Sequence, residues 1–571
     1  MRQSARRGAG TAAILLLLIA GCRPSATYDV VLRGGRVYDG TGAPPVLADV
    51  AIQGDSVIAV AAGLRGRGRT ELDVRGLAVT PGFINMLSWA NESLLEDGRG
   101  QSDIRQGVTL EVFGEGLSMG PLTDSMKTEM RALQRDIKFE IEWTTLGEYL
   151  DHLVARGVSP NVASFVGATT VRIHELGYED RPPTPEELAR MQALVRDAMR
   201  EGALGVGSSL IYAPAFYART DELIALARAA AEQGGMYISH MRSEGNRLLE
   251  SVDEVISIAR AAGSRAEIYH LKAAGEENWP KLDQVIARVN AARASGLAIT
   301  ADMYTYTAAA TGLDAAMPPW VQEGGYLRWA ERLRDPRIRA RVKREMNSPT
   351  DRWENFYRFA GPAGILLVGF KADSLKQYTG KSLAEVARLR HSTAEETAMD
   401  LVARDGSRVE TVYFLMSEDN LRKQIPLPWL SFGSDAEASA PEGVFLKSNP
   451  HPRAYGNFAR LLGRYVREER LIPLEEAVRR LTSLPAENLK IKRRGKLAPG
   501  YFADVAVFDP ARIADHATFE RPHQYATGMV HVLVNGVPVL RDGDHTGAKP
   551  GRVVRGPGWR GSGCSAIAGH P

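Results

Sequence analysis

"GMYISHMRSEG" (residues 235–245) is a short apolar run that closes on a histidine and passes through a polar turn into a helical stretch. A run of this length, bounded by glycine and followed by helical periodicity, reads as the strand of a βα unit lying in a parallel sheet. The same rhythm appears eight times. The strands are "GFINML" from residue 82, "GVTLEVF" from 107, "NVASFVG" from 161, "ALGVGSS" from 203, "GMYISH" from 235, "AEIYH" from 266, "LAITADMY" from 297 and "WLSFGSD" from 429. Eight such units close a (β/α)8 barrel, so the expected class is α/β with a barrel of the triosephosphate-isomerase type.

The connections agree with this reading. "TPEELARMQALVRDAMREG" begins with Thr184 as a candidate N-cap and Glu187 three residues on, a capping-box spacing. The seventh connection, from residue 318 to residue 433, is far too long for one helix and is expected to hold an inserted helical subdomain over about 317–418. Outside the barrel, residues 28–82 alternate in short strands broken by glycines, and the same grammar returns in residues 495–510 and 530–544. We therefore expect a small β-sandwich domain built from both chain ends (22–81 and 491–556), a barrel over 82–490 and a flexible tail over 557–571.

With 571 residues, 44% hydrophobic and 24% charged, the chain has the composition of a folded protein of one large domain and smaller additions. The net charge is only +3, and the arginine-rich stretches at 65–69 and 337–344 lack interleaved aromatics, which argues against nucleic-acid binding. At the N-terminus, Arg2, Arg6 and Arg7 precede an apolar run over residues 12–20, too short to span a bilayer and typical of an export signal. "LIAGC" (18–22) resembles a bacterial lipobox. It implies a signal peptide over 1–21, lipidation of Cys22, and a place in the cell envelope with membrane attachment through lipid alone. The remaining cysteine, Cys564, would then have no partner for an intramolecular disulfide.

In barrels of this kind chemistry sits at the C-terminal ends of the strands. Strand five ends in His240, strand six in His270, strand eight in Asp435, and strand two runs out into Glu115. A lone histidine in a strand is usually a core residue. Two at the ends of successive strands, with carboxylates ending two others, point to a metal site. Two imidazoles and a carboxylate suit Zn²⁺ or a similar borderline ion, and a catalytic zinc takes three protein ligands and leaves a position for water. Glu115, His240 and His270 supply the three, with Glu111 as the substitute if the register differs. Asp435 is the expected base, taking a proton from water and passing it to a leaving nitrogen.

"PGFINMLSWANES" (81–93) holds the place where metal hydrolases often carry two histidines separated by one residue; here those positions read Leu87 and Trp89, and no histidine precedes His152. The expectation is a single-metal site, with Leu87 and Trp89 as an apolar wall where a second ion would lie.

"VTPGFIN", "QGVTLEV", "ISHMRSEG", "HLKAAG", "ADMYTYT", "GSDA", "HPRAYGNFARLLGRYVRE" and "RGKLAPGYFADVAVFDP" together resemble the N-acyl-D-amino-acid deacylases (D-aminoacylases) of the amidohydrolase superfamily, over residues 28–556. The resemblance implies hydrolysis of the amide of N-acylated D-amino acids by zinc held in a barrel. It implies His240 and His270 as zinc ligands, Asp435 as acid/base, Glu115 in place of the family's metal-bridging cysteine, and Lys272, Tyr304 and Arg453 as the grip on the substrate's α-carboxylate. The expected partner is thus a small N-acyl amino acid or peptide-like molecule. Two alternatives stay open: a sister amidohydrolase acting on dipeptides, cyclic amides or peptidoglycan fragments, and an inactive, envelope-anchored binding protein.

Overall fold

The computed structural model describes residues 27–561; the export segment, Cys22 and Cys564 lie outside them. All eight barrel strands are present: β1 (Phe83–Asn85), β2 (Val108–Phe113), β3 (Asn161–Ser164), β4 (Gly205–Ser209), β5 (Met236–His240), β6 (Ala266–Ile268), β7 (Ile299–Met303) and β8 (Leu430–Phe432). Parallel pairing runs β1-β2-β3 and β4-β5-β6-β7-β8. The first seam is closed by the amide of Leu204 on Ser164 O at 2.9 Å and by Val166–Gly167 paired with β4. The other is closed by Met86 N on Phe432 O and by a parallel bridge between Ser88 and Ala436.

Strand alternation decides which side chains point inward. Ile84, Leu110, Val112, Ala163, Leu204, Met236 and Ile238 pack with Tyr269 as the barrel interior. Phe83, Val162, Val206, Tyr237, Ile268 and Ala301 belong instead to the large core shared with the surrounding helices. The period of two carries His240 inward with Met236 and Ile238. Thr184 caps the helix Pro185–Arg200 with the reciprocal bonds of a capping box.

The two chain ends meet in one hydrogen-bonded sheet of nine strands, in which Ala78–Pro81 pairs antiparallel with Val505–Phe508. Val505 and Val507 enter this domain's own core with Val31's neighbours Val30 and Leu32, while Ala506 and Phe508 face the barrel's helices. That alternation ties the small domain to the barrel. Beyond it, residues 552–556 run beneath the barrel, Val554 N bonding Val162 O at 2.8 Å and Gly556 N bonding Gly202 O at 2.7 Å.

The insertion contains the expected helices, among them Pro336–Asn347 and Ala394–Asp405, and also a four-stranded antiparallel sheet. That sheet begins before the expected boundary, at Ala308–Gly312, which pairs with Glu410–Phe414. "AAATG" carries little β propensity or alternation, so its pairing comes from the partner strand and was not readable locally.

Candidate metal centre

Glu115 reaches the barrel mouth because the chain turns sharply on both sides of it. Gly114 and Gly116 have φ of +104° and +72°. A Cβ on Gly114 would stand 2.3 Å from Phe165 O, and one on Gly116 would stand 2.4 Å from Ser209 Cβ, so both positions require glycine. His270 and Asp435 are non-glycine residues in the left-handed region, with φ of 32° and 50°. Each is pinned by its own amide: His270 N donates to Asp302 Oδ1 at 2.9 Å and Asp435 N to Leu87 O at 2.8 Å. Backbone held in this way is a common feature of functional sites.

The side chains so presented converge. Glu115 Oε1 lies 2.9 Å from His240 Nδ1 and 2.9 Å from His270 Nε2, all three residues being buried. Burial pushes the Glu115 carboxyl up, but the adjacent His270 and His240 outweigh it and hold it well below the usual carboxylate range. Burial and Lys272 pull His270 down, yet Glu244 and Glu115 raise it to about 10. The pocket is electrostatically suited to positive charge among these carboxylates. One carboxylate oxygen and two imidazole nitrogens meeting at one point is a donor set that fits a zinc-type ion.

Further groups orient these three. Glu244 Oε1 accepts from Lys272 Nζ at 2.6 Å and lies 3.1 Å from His270 Nδ1; its other oxygen is 3.7 Å from His240 Nε2. This carboxylate beside both imidazoles was not singled out in the sequence, although it stands four residues after His240 in "HMRSEG". Carboxylates in such positions fix the tautomer and orientation of ligating histidines.

Asp435 faces the cluster between two donors. Its Oδ2 pairs with Arg453 Nη2 at 2.8 Å, and its Oδ1 accepts from the indole Nε1 of Trp89 at 3.1 Å. Burial raises its carboxyl above the ordinary value, with Arg453 working against the rise. The same indole N–H lies 3.0 Å from Glu115 Oε2. The expectation of an apolar wall is therefore corrected for Trp89: Leu87 is fully buried within the barrel interior, but Trp89 turns its one polar atom toward two carboxylates.

Lys272, Tyr304 and Arg453 lie together, with the Arg453 guanidinium carbon 4.4 Å and Lys272 Nζ 5.6 Å from the centre of the Tyr304 ring. Arg453 is buried, and its Nε and Nη1 find no hydrogen-bond partner among the described residues. Lys272 is engaged with Glu244 and His270, and the Tyr304 hydroxyl donates to Met416 Sδ at 3.3 Å. Glu111 is not part of the cluster. It points to the outer side of β2, accepts from Asn85 Nδ2 at 3.0 Å, and is raised by burial to about 7.

A (β/α)8 barrel with convergent imidazoles and carboxylates at its strand ends is the frame of a metal-dependent hydrolase. A family model described as "Amidohydrolase family" matches residues 70–540. The chain is 31% identical to the D-aminoacylase of Alcaligenes xylosoxydans xylosoxydans over 532 residues, 93% of this chain and 98% of that protein. Among solved structures it is similar to a D-aminoacylase whose binuclear centre is described by one-metal activation and second-metal attenuation (31% identity, TM-score 0.78, 92% of this chain and all of that one). It is also similar to the N-acyl-D-glutamate deacylase of Bordetella bronchiseptica, complexed with zinc and a phosphonate mimic of the tetrahedral intermediate (29% identity, TM-score 0.77, 93% and 100%). The chain belongs to the amidohydrolase family and, within it, to the D-aminoacylase branch.

Proposed function

We propose that this enzyme hydrolyses the amide bond of N-acyl D-amino acids, a reading supported by its similarity to a D-aminoacylase and an N-acyl-D-glutamate deacylase. The observation that carries the reading is the meeting of Glu115, His240 and His270 near Asp435, beside two Arg453 donors that have no partner among the described residues. Glu115, His240 and His270 would hold one zinc. When bound, zinc would polarise the scissile carbonyl and make water a better nucleophile at neutral pH.

The remaining steps belong to the chain's own residues. Arg453, with Tyr304 and Lys272 around it, receives the α-carboxylate and fixes the amide over the cluster. Arginine suits this role because its planar fork presents parallel donors to a carboxylate. Asp435 accepts the proton of the attacking water and returns it to the departing nitrogen, so that one carboxylate serves as base and then acid. Glu244 keeps the imidazoles in register.

We further propose that the enzyme is exported and anchored at the cell envelope through lipid on Cys22. Replacing Cys22 by Ala should release soluble protein, and unchanged membrane fractionation of an uncleaved form would contradict the proposal. The hydrolase reading is tested on matched N-acetyl-D and N-acetyl-L amino acids beside an amide lacking the α-carboxylate. Turnover confined to the carboxylate-bearing compounds supports it; turnover of cyclic amides alone would contradict it.

A further inference from the structure

Trp89 stands where a metal-ligating histidine is usual, yet its indole N–H makes two contacts that a wall residue has no need of. Nε1 lies 3.0 Å from Glu115 Oε2 and 3.1 Å from Asp435 Oδ1, spanning a proposed metal ligand and the proposed base. Indole nitrogen is a donor only; it offers no lone pair to a metal. The gap between these two oxygens is thus filled by an N–H donor and not by a group that could ligate an ion. Leu87, the other position of the pair, is fully buried and brings no donor.

The main chain holds the ring in this place. Trp89 N donates to Ala436 O at 2.9 Å, directly after Asp435, and Asp435 N donates to Leu87 O at 2.8 Å. The segments carrying Trp89 and Asp435 are thus stitched together through their backbones, and their side chains meet above. Asp435 has its second oxygen on Arg453 at 2.8 Å, so both of its oxygens are fixed.

We propose that Trp89 is a positioning residue that, with a neutral N–H, joins Glu115 to Asp435, orients the base, and limits the centre to one ion. The inference rests on the single-metal hydrolase reading above. It adds that this chain is insensitive to excess zinc at the position between those carboxylates. Trp89 also takes no charge into that gap: Asp435 Oδ1 is held by a neutral N–H, while the charged Arg453 holds Oδ2.

The test is zinc titration of the metal-stripped full-length protein, with bound zinc counted per chain and kcat and KM measured on the same samples. The parent chain should saturate at one zinc and keep its turnover in excess zinc. Trp89→Phe, which retains the ring and removes the N–H, should keep the tightly held zinc and lose about 10- to 100-fold in kcat, the scale of a misplaced catalytic group, with KM little changed. Leu87→His/Trp89→His, restoring two imidazoles, should take up a second zinc. Binding of a second zinc by the parent chain, or unchanged kcat in Trp89→Phe, would overturn the inference. Should Trp89→Phe fail to fold, the zinc count of the parent chain still decides it. If the parent chain hydrolyses no N-acyl amino acid, the hydrolase reading fails, and one zinc in the parent against two in the double variant still separates the two questions.

Discussion

Arg453 and Asp435 form a 2.8 Å ion pair in the barrel mouth, while the same guanidinium keeps Nε and Nη1 buried without a partner among the described residues. A buried donor without an acceptor is unfavourable unless a ligand satisfies it. One residue thus serves two tasks, holding the base and presenting two free donors to an incoming anion.

Arg453→Ala should therefore affect two kinetic constants for different reasons. Loss of hydrogen bonds to a charged group, about 1.5–3 kcal/mol, raises KM for an N-acyl amino acid by roughly ten- to a hundredfold. An amide lacking the carboxylate escapes that rise, but both substrates lose kcat because Asp435 is no longer held. Steady-state kinetics on the paired substrates reads the difference. An equal change in KM for both would assign Arg453 to structure alone.

Asp435→Asn keeps the shape of the side chain and removes its basicity. Turnover should fall by about 10² to 10⁴, the usual contribution of a positioned acid or base, while zinc content stays at the parental level. Metal analysis and kcat on one preparation check this. Loss of zinc in step with activity would instead make Asp435 a ligand.

Gly116→Ala tests the turn that presents Glu115. The added methyl would meet Ser209 Cβ at 2.4 Å on a backbone with φ of +72°, so the loop has to shift and carry Glu115 with it. Zinc affinity should fall about tenfold or more, as for other disturbances of ligand orientation, in a protein whose circular dichroism is unchanged. Parental affinity would show that Glu115 is placed by something other than this turn.

Glu354 gives a pH dependence of stability. It joins the insertion to the loop after β5, accepting from the amides of Glu244 and Gly245 at 3.1 Å and from the Ser243 hydroxyl. Burial, helped by the charge of Glu244, raises its carboxyl to about 7 against those hydrogen bonds. The folded protein then binds a proton more tightly than the unfolded chain, so this stabilising contribution is complete below the unfolded value and is lost as pH rises toward 7. Glu354→Gln, neutral throughout and placing its amide at the unpartnered Oε2, should flatten that slope and add roughly 1–3 kcal/mol above pH 7. Denaturant melts at pH 5 and pH 8 check the sign; a variant less stable at pH 8 than the parent would contradict it.

The barrel was legible because each strand is a short apolar run with its own turn signals, and because period two puts His240 on the inner face without reference to anything distant. His270 and Asp435 were legible as strand-end residues of chemical type. The role of Trp89 was not, since a tryptophan in an apolar run reads as packing, and its N–H finds Glu115 and Asp435 only after residues 89, 115 and 435 meet in space. Glu244 was missed for the same reason: one acidic residue in a polar loop carries no signal until Lys272 and both histidines close around it. The choice between Glu111 and Glu115 needed the structure, because residues four apart share one face of a regular strand; the turns at Gly114 and Gly116 take Glu115 out of that register to the barrel mouth and leave Glu111 bonded to Asn85.

Zinc counted per chain in the parent protein, His240→Ala and His270→Ala, alongside hydrolysis of matched N-acetyl-D and N-acetyl-L amino acids, decides whether one ion held by these residues serves the hydrolysis. The expected result is one zinc in the parent, loss of zinc and activity together in each histidine variant, and turnover of the N-acyl amino acid by the zinc-loaded parent alone. Full activity in metal-free protein, or two tightly held ions in the parent, would contradict it.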